Sequence, residues 1–352
     1  MKSLFEKVHL HQKLQLPFVV YRKPHSKTLI GVFQQDDHLY FSDSFSEKGF
    51  VFAPFDGMSV IMLVEKSEVK FNSIYFENQP KSHLENESED IAEKEKFISL
   101  VKKGIFAIRR GEFDKVVLSR KETVTIQDFQ VENTFEKMLQ LYPSAFCYYW
   151  SHPKIGEWMG ATPEKLIQAK RNVFNTMALA GTQPYQGDEV VFWKDKEKEE
   201  QGFVTDFILE NLKPHTFNVM ASNPYTTRAG NLLHIRTDVE GIINHDSNLK
   251  KVIDILHPTP AVCGLPKFTA KDFIIKNENY QREFYTGFLG ELNFNFNTNE
   301  EATDLFVNLR CMKVIDKETV ALFVGCGITK DSNPEAEWYE TVNKSKTMKK
   351  VL

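Results

Sequence analysis

The sequence of 352 residues has few cysteines and no long apolar run, and each absence excludes a class of protein. Its four cysteines form no CxxC pair, which argues against a zinc knuckle and favours a reducing compartment. No stretch of about 18 apolar residues occurs, so we expect no membrane-spanning helix. The N-terminal segment has neither a long apolar core nor a cleavage-site pattern, so we expect no signal peptide and a cytoplasmic protein.

A strong charge of one sign is also missing. The net charge is −4 and no long basic block occurs, so nucleic acid is not an expected partner. The contents of 41% hydrophobic and 26% charged residues are those of an ordinary soluble globular protein. The 29 phenylalanines favour a sheet-rich core packed with aromatic rings. Neither a heptad pattern nor an exposed apolar stripe predicts an oligomer, so we expect a monomer.

Strand and helix patterns are mixed along the chain. Short apolar runs between turn residues predict strands throughout residues 1–90, and the acidic stretch 80–95 is predicted to be an exposed loop leading into a helix. Because the later strands follow one another as hairpins rather than as βαβ units, we predict an α+β fold. It would be a single large layered domain, with mostly antiparallel sheets covered by helices. Helices are predicted at about 93–110, 131–141, 194–212 and 271–283, and near the C-terminus.

Two pairs of glutamates occur at helical spacing. Glu337 and Glu340 lie on one face of the predicted C-terminal helix, and Glu197 and Glu200 have the same spacing on the helix at 194–212. If the two faces meet, four carboxylates converge and require a cation, because like charges at short range repel. Oxygen ligands of this kind favour Mg²⁺. The spacing fits equally well with two ordinary solvated faces.

The segment before the C-terminal helix carries its own signals. Asp331 and Ser332 are predicted to cap the free N–H groups of the helix, and Pro334 suits its first turn. The backbone at Gly325 and Gly327 could offer N–H groups to a carboxylate, although glycine turns of this kind are common.

Four further residues are candidates for chemistry, each with a structural alternative. Lys115 precedes an apolar strand and could act as a base if it faces inward, whereas most strand lysines face outward. Glu164 follows a turn at a strand entry, where it could donate a proton or lie on the surface. His257 begins the proline-rich segment HPTP, which would hold either an active-site or a structural histidine. Arg310, on a predicted strand, could clamp a carboxylate.

Several stretches have a recognisable order along the chain. They are FDKVVLSR (113–120), GATPEKL (160–166), ALAGT (178–182), the KExxEx stretch at 196–201, HPTPAVCGLP (257–266), REFYTGFLGE (282–291) and the C-terminal GCGIT and DSNPEAEWYETVNK. Taken in order, these motifs resemble those of the chorismate-utilising enzymes, and most closely those of the isochorismate synthases. The resemblance runs from about residue 93 to the C-terminus. It implies one chorismate-binding catalytic domain over residues 1–352, with a divergent strand-rich part at 1–90 and a family core at 91–352.

The resemblance implies a role for each candidate. Lys115 would activate water for attack at C2 of chorismate, Glu164 would protonate the departing C4 hydroxyl, and His257 would lie beside the ring. Mg²⁺ would hold the ring carboxylate, while Tyr285 and Arg310 would grip the enolpyruvyl carboxylate. The implied metal ligands are Glu197, Glu200, Glu337 and Glu340. The implied substrate contacts are Ala180, Gly181, Thr182, Ala261, Tyr285, Arg310, Gly325, Gly327 and Lys344.

A few positions bear on which member of the family this is. Ala180 stands where aminodeoxychorismate synthases have a lysine nucleophile, and Ala261 stands where ammonia users and salicylate synthases usually have threonine. Gln201 and Cys263 depart from the common pattern without removing a proposed acid, base or ligand. Isochorismate synthase is therefore the favoured activity, in either menaquinone or siderophore biosynthesis. Salicylate synthase, anthranilate synthase and a relative that binds without catalysis remain open alternatives.

Overall fold

The computed structural model of the protein describes residues 2–74, 90–188, 191–229 and 232–352. The predicted acidic loop at 80–95 lies mostly outside these residues. The helices of the described ranges are α1 (Lys2–Leu14), α2 (Ile91–Arg109), α3 (Val131–Leu141), α4 (Asp195–Leu212), α5 (Leu249–Leu256), α6 (Lys267–Asn277) and α7 (Pro334–Lys349). None of them is long and apolar enough to cross a membrane.

Nineteen strands accompany these helices in the described part of the chain. They are β1 (Phe18–Arg22), β2 (Thr28–Gln34), β3 (Tyr40–Ser42), β4 (Gly49–Ala53), β5 (Ser59–Leu63), β6 (Ser67–Ser73), β7 (Lys115–Thr125), β8 (Phe146–His152), β9 (Gly156–Thr162), β10 (Lys165–Lys170), β11 (Val173–Pro184), β12 (Thr216–Ala221), β13 (Tyr225–Ala229), β14 (Leu232–Ile243), β15 (Gly264–Leu265), β16 (Phe288–Leu292), β17 (Thr303–Val307), β18 (Cys311–Val314) and β19 (Thr319–Ile328).

The strands form two large sheets, and every described pairing within them is antiparallel. The first sheet has the order β15-β7-β19-β18-β9-β8-β1-β2-β6. The second has the order β12-β14-β11-β10-β17-β16-β4-β5-β3, and β13 pairs with β14. The predicted α+β fold with mostly antiparallel sheets is confirmed.

The N-terminal strands are built into both sheets. β1, β2 and β6 extend the first sheet beyond β8, whereas β3, β4 and β5 extend the second beyond β16. The N-terminal part therefore completes the two layers and does not form a layer of its own.

The chain passes from one sheet to the other at several points, and two of these crossings position the functional site. β9 belongs to the first sheet and β10 to the second, and only residues 163–164 connect them. β17 belongs to the second sheet and β18 to the first, with residues 308–310 between them. The sequence predicts residues 304–315 as one continuous strand, and this is wrong, because the chain changes sheets within it.

The space between the sheets is filled with aromatic rings, as the phenylalanine content predicts. Phe52 stacks on Phe284 with ring centroids 4.2 Å apart and meets the edge of Trp150 at 5.2 Å. Trp158 stacks on Phe323 at 5.2 Å. Aromatic pairs of this kind each stabilise a core by about 0.5–1.5 kcal/mol beyond the burial of their area.

Several helix predictions need correction. The sequence predicts neither α1 nor α5, and the helix predicted at 271–283 lies at Lys267–Asn277. The predicted cap of α7 is also wrong, because the side chain of Asn333 accepts the hydrogen bond from the backbone N–H of Ala336 at 3.1 Å. Ser332 instead accepts from the N–H of Thr329, which closes the turn before the helix. Pro334 begins α7 as predicted.

Candidate active site

A cavity opens where the two chain crossings meet α4 and α7. Its wall includes Glu164 from the first crossing and Arg310 from the second. Loop 257–266 and turn 282–287 contribute further residues, so segments distant in the sequence converge here. The predicted site residues that line it are Glu164, Ala180, Gly181, Thr182, Glu200, Ala261, Tyr285, Arg310, Gly325, Gly327 and Lys344.

Lys115 is completely buried next to a residue of the cavity wall. It is the first residue of β7, and its Nζ lies 3.1 Å from Oε1 of Glu200 on α4, which lines the cavity. Lys115 itself is not among the described residues that line it. Gly327 makes the approach of the two side chains possible, because a Cβ on Gly327 would lie 2.2 Å from Oε1 of Glu200 and 3.2 Å from Cε of Lys115. Lys115 therefore faces inward, which is the condition under which it could act as a base.

Glu164 is held in the short connection between β9 and β10. Its carbonyl oxygen accepts a hydrogen bond from the N–H of Val307 at 2.9 Å, which fixes one chain crossing against the strand that leads into the other. Burial raises the pKa of its carboxyl to about 7, because desolvation outweighs the opposing effects of the Arg310, Lys115 and Lys344 charges. A large fraction of this carboxyl is therefore protonated near neutral pH, as a general acid requires.

The cavity wall also carries positive charge. Lys344 on α7 donates to Oε1 of Glu340 at 2.7 Å and to the carbonyl oxygen of Gly325 at 3.0 Å. Arg310 lies on the same wall, and Tyr285 is held by stacking on Phe323 with centroids 5.6 Å apart. A guanidinium, an ammonium and a phenol within one cavity suit a substrate that carries carboxylates.

The four glutamates predicted to hold Mg²⁺ lie on α4 and α7, but only Glu200 is among the described residues that line the cavity, and the four are not assembled as a metal cage. Glu200 pairs with Lys115, and Glu340 pairs with Lys344. Among residues 2–74, 90–188, 191–229 and 232–352, no group of three or more acidic, histidine or cysteine side chains is placed to hold a metal. The expected convergence of four carboxylates is therefore absent from this conformation.

Two observations nevertheless fit an oxygen-ligated divalent cation. Oε2 of Glu197 is buried without a hydrogen-bond partner among the described residues, which is costly for an ionised carboxylate. Glu337 is 1% exposed, so it does not belong to a solvated face. The donor atoms are all carboxylate oxygens, the kind that Mg²⁺ prefers. A cation would compensate Glu197 and would compete with the two lysines for Glu200 and Glu340.

Gln201 shows how α4 is held in this position. Its side-chain amide donates to Oγ1 of Thr205 on the same helix at 2.8 Å and to Oγ1 of Thr237 on β14 at 2.6 Å. Gln201 is 4% exposed, so these bonds are buried. The residue that departs from the family pattern thus anchors the helix that carries Glu197 and Glu200 to the second sheet.

The histidine at the cavity is not the predicted one. His257 is not among the described residues that line it; its ring packs edge-on against Phe288 and its Nε2 lies 3.0 Å from the carbonyl oxygen of Pro54. His234 on β14 lines the cavity instead. Its only sequence signal is a single ionisable residue within the apolar start of a strand, LLHI.

The hydrogen bonds of His234 define what its ring can do. Nδ1 lies 3.0 Å from the carbonyl oxygen of Gly181, which can only accept, so Nδ1 carries the proton. Nε2 is then an acceptor, and it is buried without a partner among the described residues. Burial, followed by the charges of Arg310 and Lys344, lowers the pKa of His234 to about 3. A neutral imidazole therefore offers a lone pair for a hydroxyl.

Comparisons with known proteins identify relatives of the chain. Isochorismate synthase EntC of Escherichia coli K12 is 29% identical over 277 residues, which span 76% of this chain and 69% of the relative. Anthranilate synthase component 1 of Aquifex aeolicus is 28% identical over 270 residues, which span 74% of this chain and 53% of that protein.

The solved structure of MenF, the menaquinone-specific isochorismate synthase of Escherichia coli, superposes with a TM-score of 0.77. The match covers 96% of this chain and 88% of that one at 22% identity, so it shows the fold. The sequence model of the family described as chorismate binding enzyme matches residues 56–352. The protein belongs to the family of chorismate-binding enzymes.

Proposed function

We propose that the protein is an isochorismate synthase, an isomerase that converts chorismate to isochorismate with the aid of Mg²⁺. One observation carries the proposal: a carboxyl with a pKa of about 7, Glu164, lines the same cavity as Glu200, and Glu200 pairs with the buried amine of Lys115. Relatives named isochorismate synthase support it. Exchange of a hydroxyl between two ring carbons needs an acid and a base, since water is a poor nucleophile and hydroxide a poor leaving group.

The reaction uses one water molecule and releases another. Lys115 Nζ accepts a proton from the water whose oxygen bonds to C2 of chorismate. The ring double bond shifts as the C4–O bond breaks, and the Glu164 carboxyl gives its proton to the departing hydroxyl. The product is therefore an isomer of the substrate. Lys115 must be neutral when the water attacks, because only a neutral amine can accept its proton.

The two carboxylates of the substrate need separate partners. Arg310 and Tyr285 would hold the enolpyruvyl carboxylate, because a guanidinium and a phenol can both donate to its oxygens. Lys344 and the backbone at 325–327 would face the ring carboxylate. A bound Mg²⁺, held by Glu197, Glu200, Glu337 and Glu340, would supply positive charge for that same carboxylate.

The alternatives differ in their products. A salicylate synthase would also eliminate pyruvate, and an anthranilate synthase would use ammonia in place of water. Ala261 lies in the cavity wall where, by family resemblance, these enzymes usually have threonine. The apolar methyl group favours isochorismate as the released product.

The decisive experiment is product analysis. The purified protein is incubated with chorismate and MgCl₂, with and without ammonium, and the products are separated by chromatography. We expect isochorismate and residual chorismate, with neither pyruvate nor an aromatic acid. Salicylate with pyruvate would establish the salicylate synthase instead, anthranilate would establish the ammonia-using enzyme, and unchanged chorismate would favour a binding protein.

A further inference from the structure

Asn308 occupies the point at which the chain leaves the second sheet for the first. It follows β17 directly and is completely buried. It is not among the described residues that line the cavity, but Leu309 and Arg310, which follow it, are. A polar side chain without access to water needs a reason to be there, because an unsatisfied carboxamide would cost stability.

Both the backbone groups and the side-chain carboxamide of Asn308 form hydrogen bonds. Its backbone N–H donates to the carbonyl oxygen of Gly287 at 2.8 Å, and its own carbonyl accepts from the N–H of Thr286 at 2.9 Å. In its side chain, Nδ2 donates to the carbonyl oxygen of Phe284 at 2.8 Å, and Oδ1 accepts from the hydroxyl of Tyr148 at 2.7 Å. One residue therefore ties turn 284–287 and strand β8 to the crossing.

The segments that Asn308 holds are conformationally strained. Thr286 has a φ of 59° and Arg310 a φ of 48°, both in the left-handed region. That region is unfavourable for residues other than glycine, and most of all for a β-branched threonine. Such conformations persist only where the surroundings enforce them. Asn308 bonds directly to the backbone of Thr286, and Arg310 is held from the other side through its carbonyl oxygen, which accepts from the N–H of Ala161 at 3.0 Å.

We propose that Asn308, anchored by Tyr148, is a positioning residue that sets the placement of Tyr285 and Arg310 for binding of a substrate carboxylate. The proposal rests on the function proposed above, which gives those two side chains the enolpyruvyl carboxylate. Asn308 does not touch the substrate itself. Its carboxamide keeps the Tyr285 turn and the Arg310 crossing in fixed register, so that a phenol and a guanidinium reach the same carboxylate.

The test compares Asn308→Ala and Tyr148→Phe with a matched control. The control is Thr216→Val, which removes a buried hydroxyl that donates to the carbonyl oxygen of Leu212 at 2.9 Å. Thr216 lies on β12, an edge strand whose described residues do not line the cavity. For each variant we measure KM, kcat, the dissociation constant of chorismate and the thermal midpoint. We expect Asn308→Ala to raise both KM and the dissociation constant, with kcat/KM reduced about 10- to 100-fold. Tyr148→Phe should change them in the same direction by a smaller factor, and Thr216→Val should lower only the midpoint.

A double-mutant cycle with Arg310→Ala separates positioning from general destabilisation. If Asn308 acts through Arg310, Asn308→Ala should weaken chorismate binding by no more than about threefold once Arg310 is removed. Binding effects that multiply in the double variant would overturn the proposal. A wild-type KM in Tyr148→Phe would also overturn the proposal. This variant alone tests the positioning role of Asn308 if Asn308→Ala does not fold.

Failure of this proposal can be distinguished from failure of the proposed function. The dissociation constant of chorismate is measured without turnover, so it reports on Asn308 whatever the product is. If the wild-type protein releases salicylate or anthranilate, the proposed function fails. The effects of Asn308→Ala and Tyr148→Phe on the dissociation constant of chorismate are then still a separate test of the positioning role.

Discussion

The ammonium group of Lys115 and the carboxylate of Glu200 form a buried ion pair, with Nζ and Oε1 3.1 Å apart. Lys115 is completely buried, and the side chain of Glu200 is 15% exposed. The pair joins the proposed base on β7 to a proposed metal ligand on α4, and Gly327 is the residue that leaves room for it. A cation at the proposed metal site would therefore compete with Lys115 for the carboxylate of Glu200.

The first prediction concerns the proposed base. Lys115→Ala should reduce kcat by a factor of about 10²–10⁴, the usual contribution of a general base. The matched control is Lys121→Ala, which removes an exposed lysine from the same strand and should leave kcat unchanged. Steady-state kinetics at saturating chorismate measures both. Wild-type turnover in Lys115→Ala would mean that another group activates the water.

The second prediction concerns the pH dependence of turnover. Glu164 must be protonated to donate, and its pKa in the free protein is about 7, so kcat/KM should fall as the pH rises above about 7, approaching tenfold per unit. Glu164→Gln should bind chorismate with little loss while turnover disappears. The pH profile of kcat/KM and equilibrium binding of chorismate test these points. Equal losses of binding and turnover in Glu164→Gln would contradict the acid role.

The third prediction follows from the same carboxyl but concerns stability. In the unfolded chain it titrates near its usual value of 4.5, whereas in the folded protein burial raises its pKa to about 7. Because the folded state binds this proton more tightly, its contribution to the free energy of unfolding falls as the pH rises from 4.5 to 7. Glu164→Gln should therefore gain about 3 kcal/mol relative to the wild type between pH 4.5 and pH 8. Urea unfolding at both pH values measures this, and a difference that does not change with pH would refute it.

How far the site could be foreseen depends on the kind of residue. Glu164 and Tyr285 lie in motifs with a recognisable order, and the structure brings them to one cavity. The sheet crossing at Asn308 was missed because the run DLFVNLRCMKVI contains no proline or glycine to interrupt a strand. The crossing is instead created by tertiary hydrogen bonds to turn 284–287, which no local pattern encodes.

Pairing between side chains that are distant in the sequence is the second feature of the site that the sequence does not predict. The i, i+4 spacing of Glu340 and Lys344 is enough to predict their pair on α7, but no local pattern shows that Lys115 lies beside Glu200. The pair of Lys115 and Glu200 depends on how α4 docks on the sheets. The position of His234 in the cavity wall also depends on tertiary packing, so the sequence predicts this residue only as part of a strand.

The fourth prediction concerns metal binding. Titration of the protein with Mg²⁺ in the calorimeter should show one site per chain, and Glu197→Gln should abolish it, because this variant neutralises a buried carboxylate with an unpartnered oxygen. Glu199→Gln is the matched control, since Glu199 lies on the same helix but is exposed. Removal of the metal with EDTA should stop turnover, and added Mg²⁺ should restore it. Equal Mg²⁺ binding by the two variants would exclude Glu197 as a ligand.

The fifth prediction separates the two histidines. His234→Ala should lower kcat/KM by roughly tenfold or more, because it removes a buried acceptor from the cavity wall. His257→Gln can still donate to the carbonyl oxygen of Pro54, so it should retain near-normal kcat/KM and lose mainly stability.

The two histidines should also affect stability in a pH-dependent way. Burial lowers the pKa of each ring to about 3, so both are neutral between pH 6 and 9 and neither should shape the kcat–pH profile there. Below about pH 6.5 the unfolded chain binds protons at these histidines that the folded protein does not, so each native histidine makes the protein less stable as the pH falls. Kinetics and urea unfolding of both variants at pH 5 and 7.5 test this assignment. A large loss of kcat/KM in His257→Gln with normal kinetics in His234→Ala would reverse it.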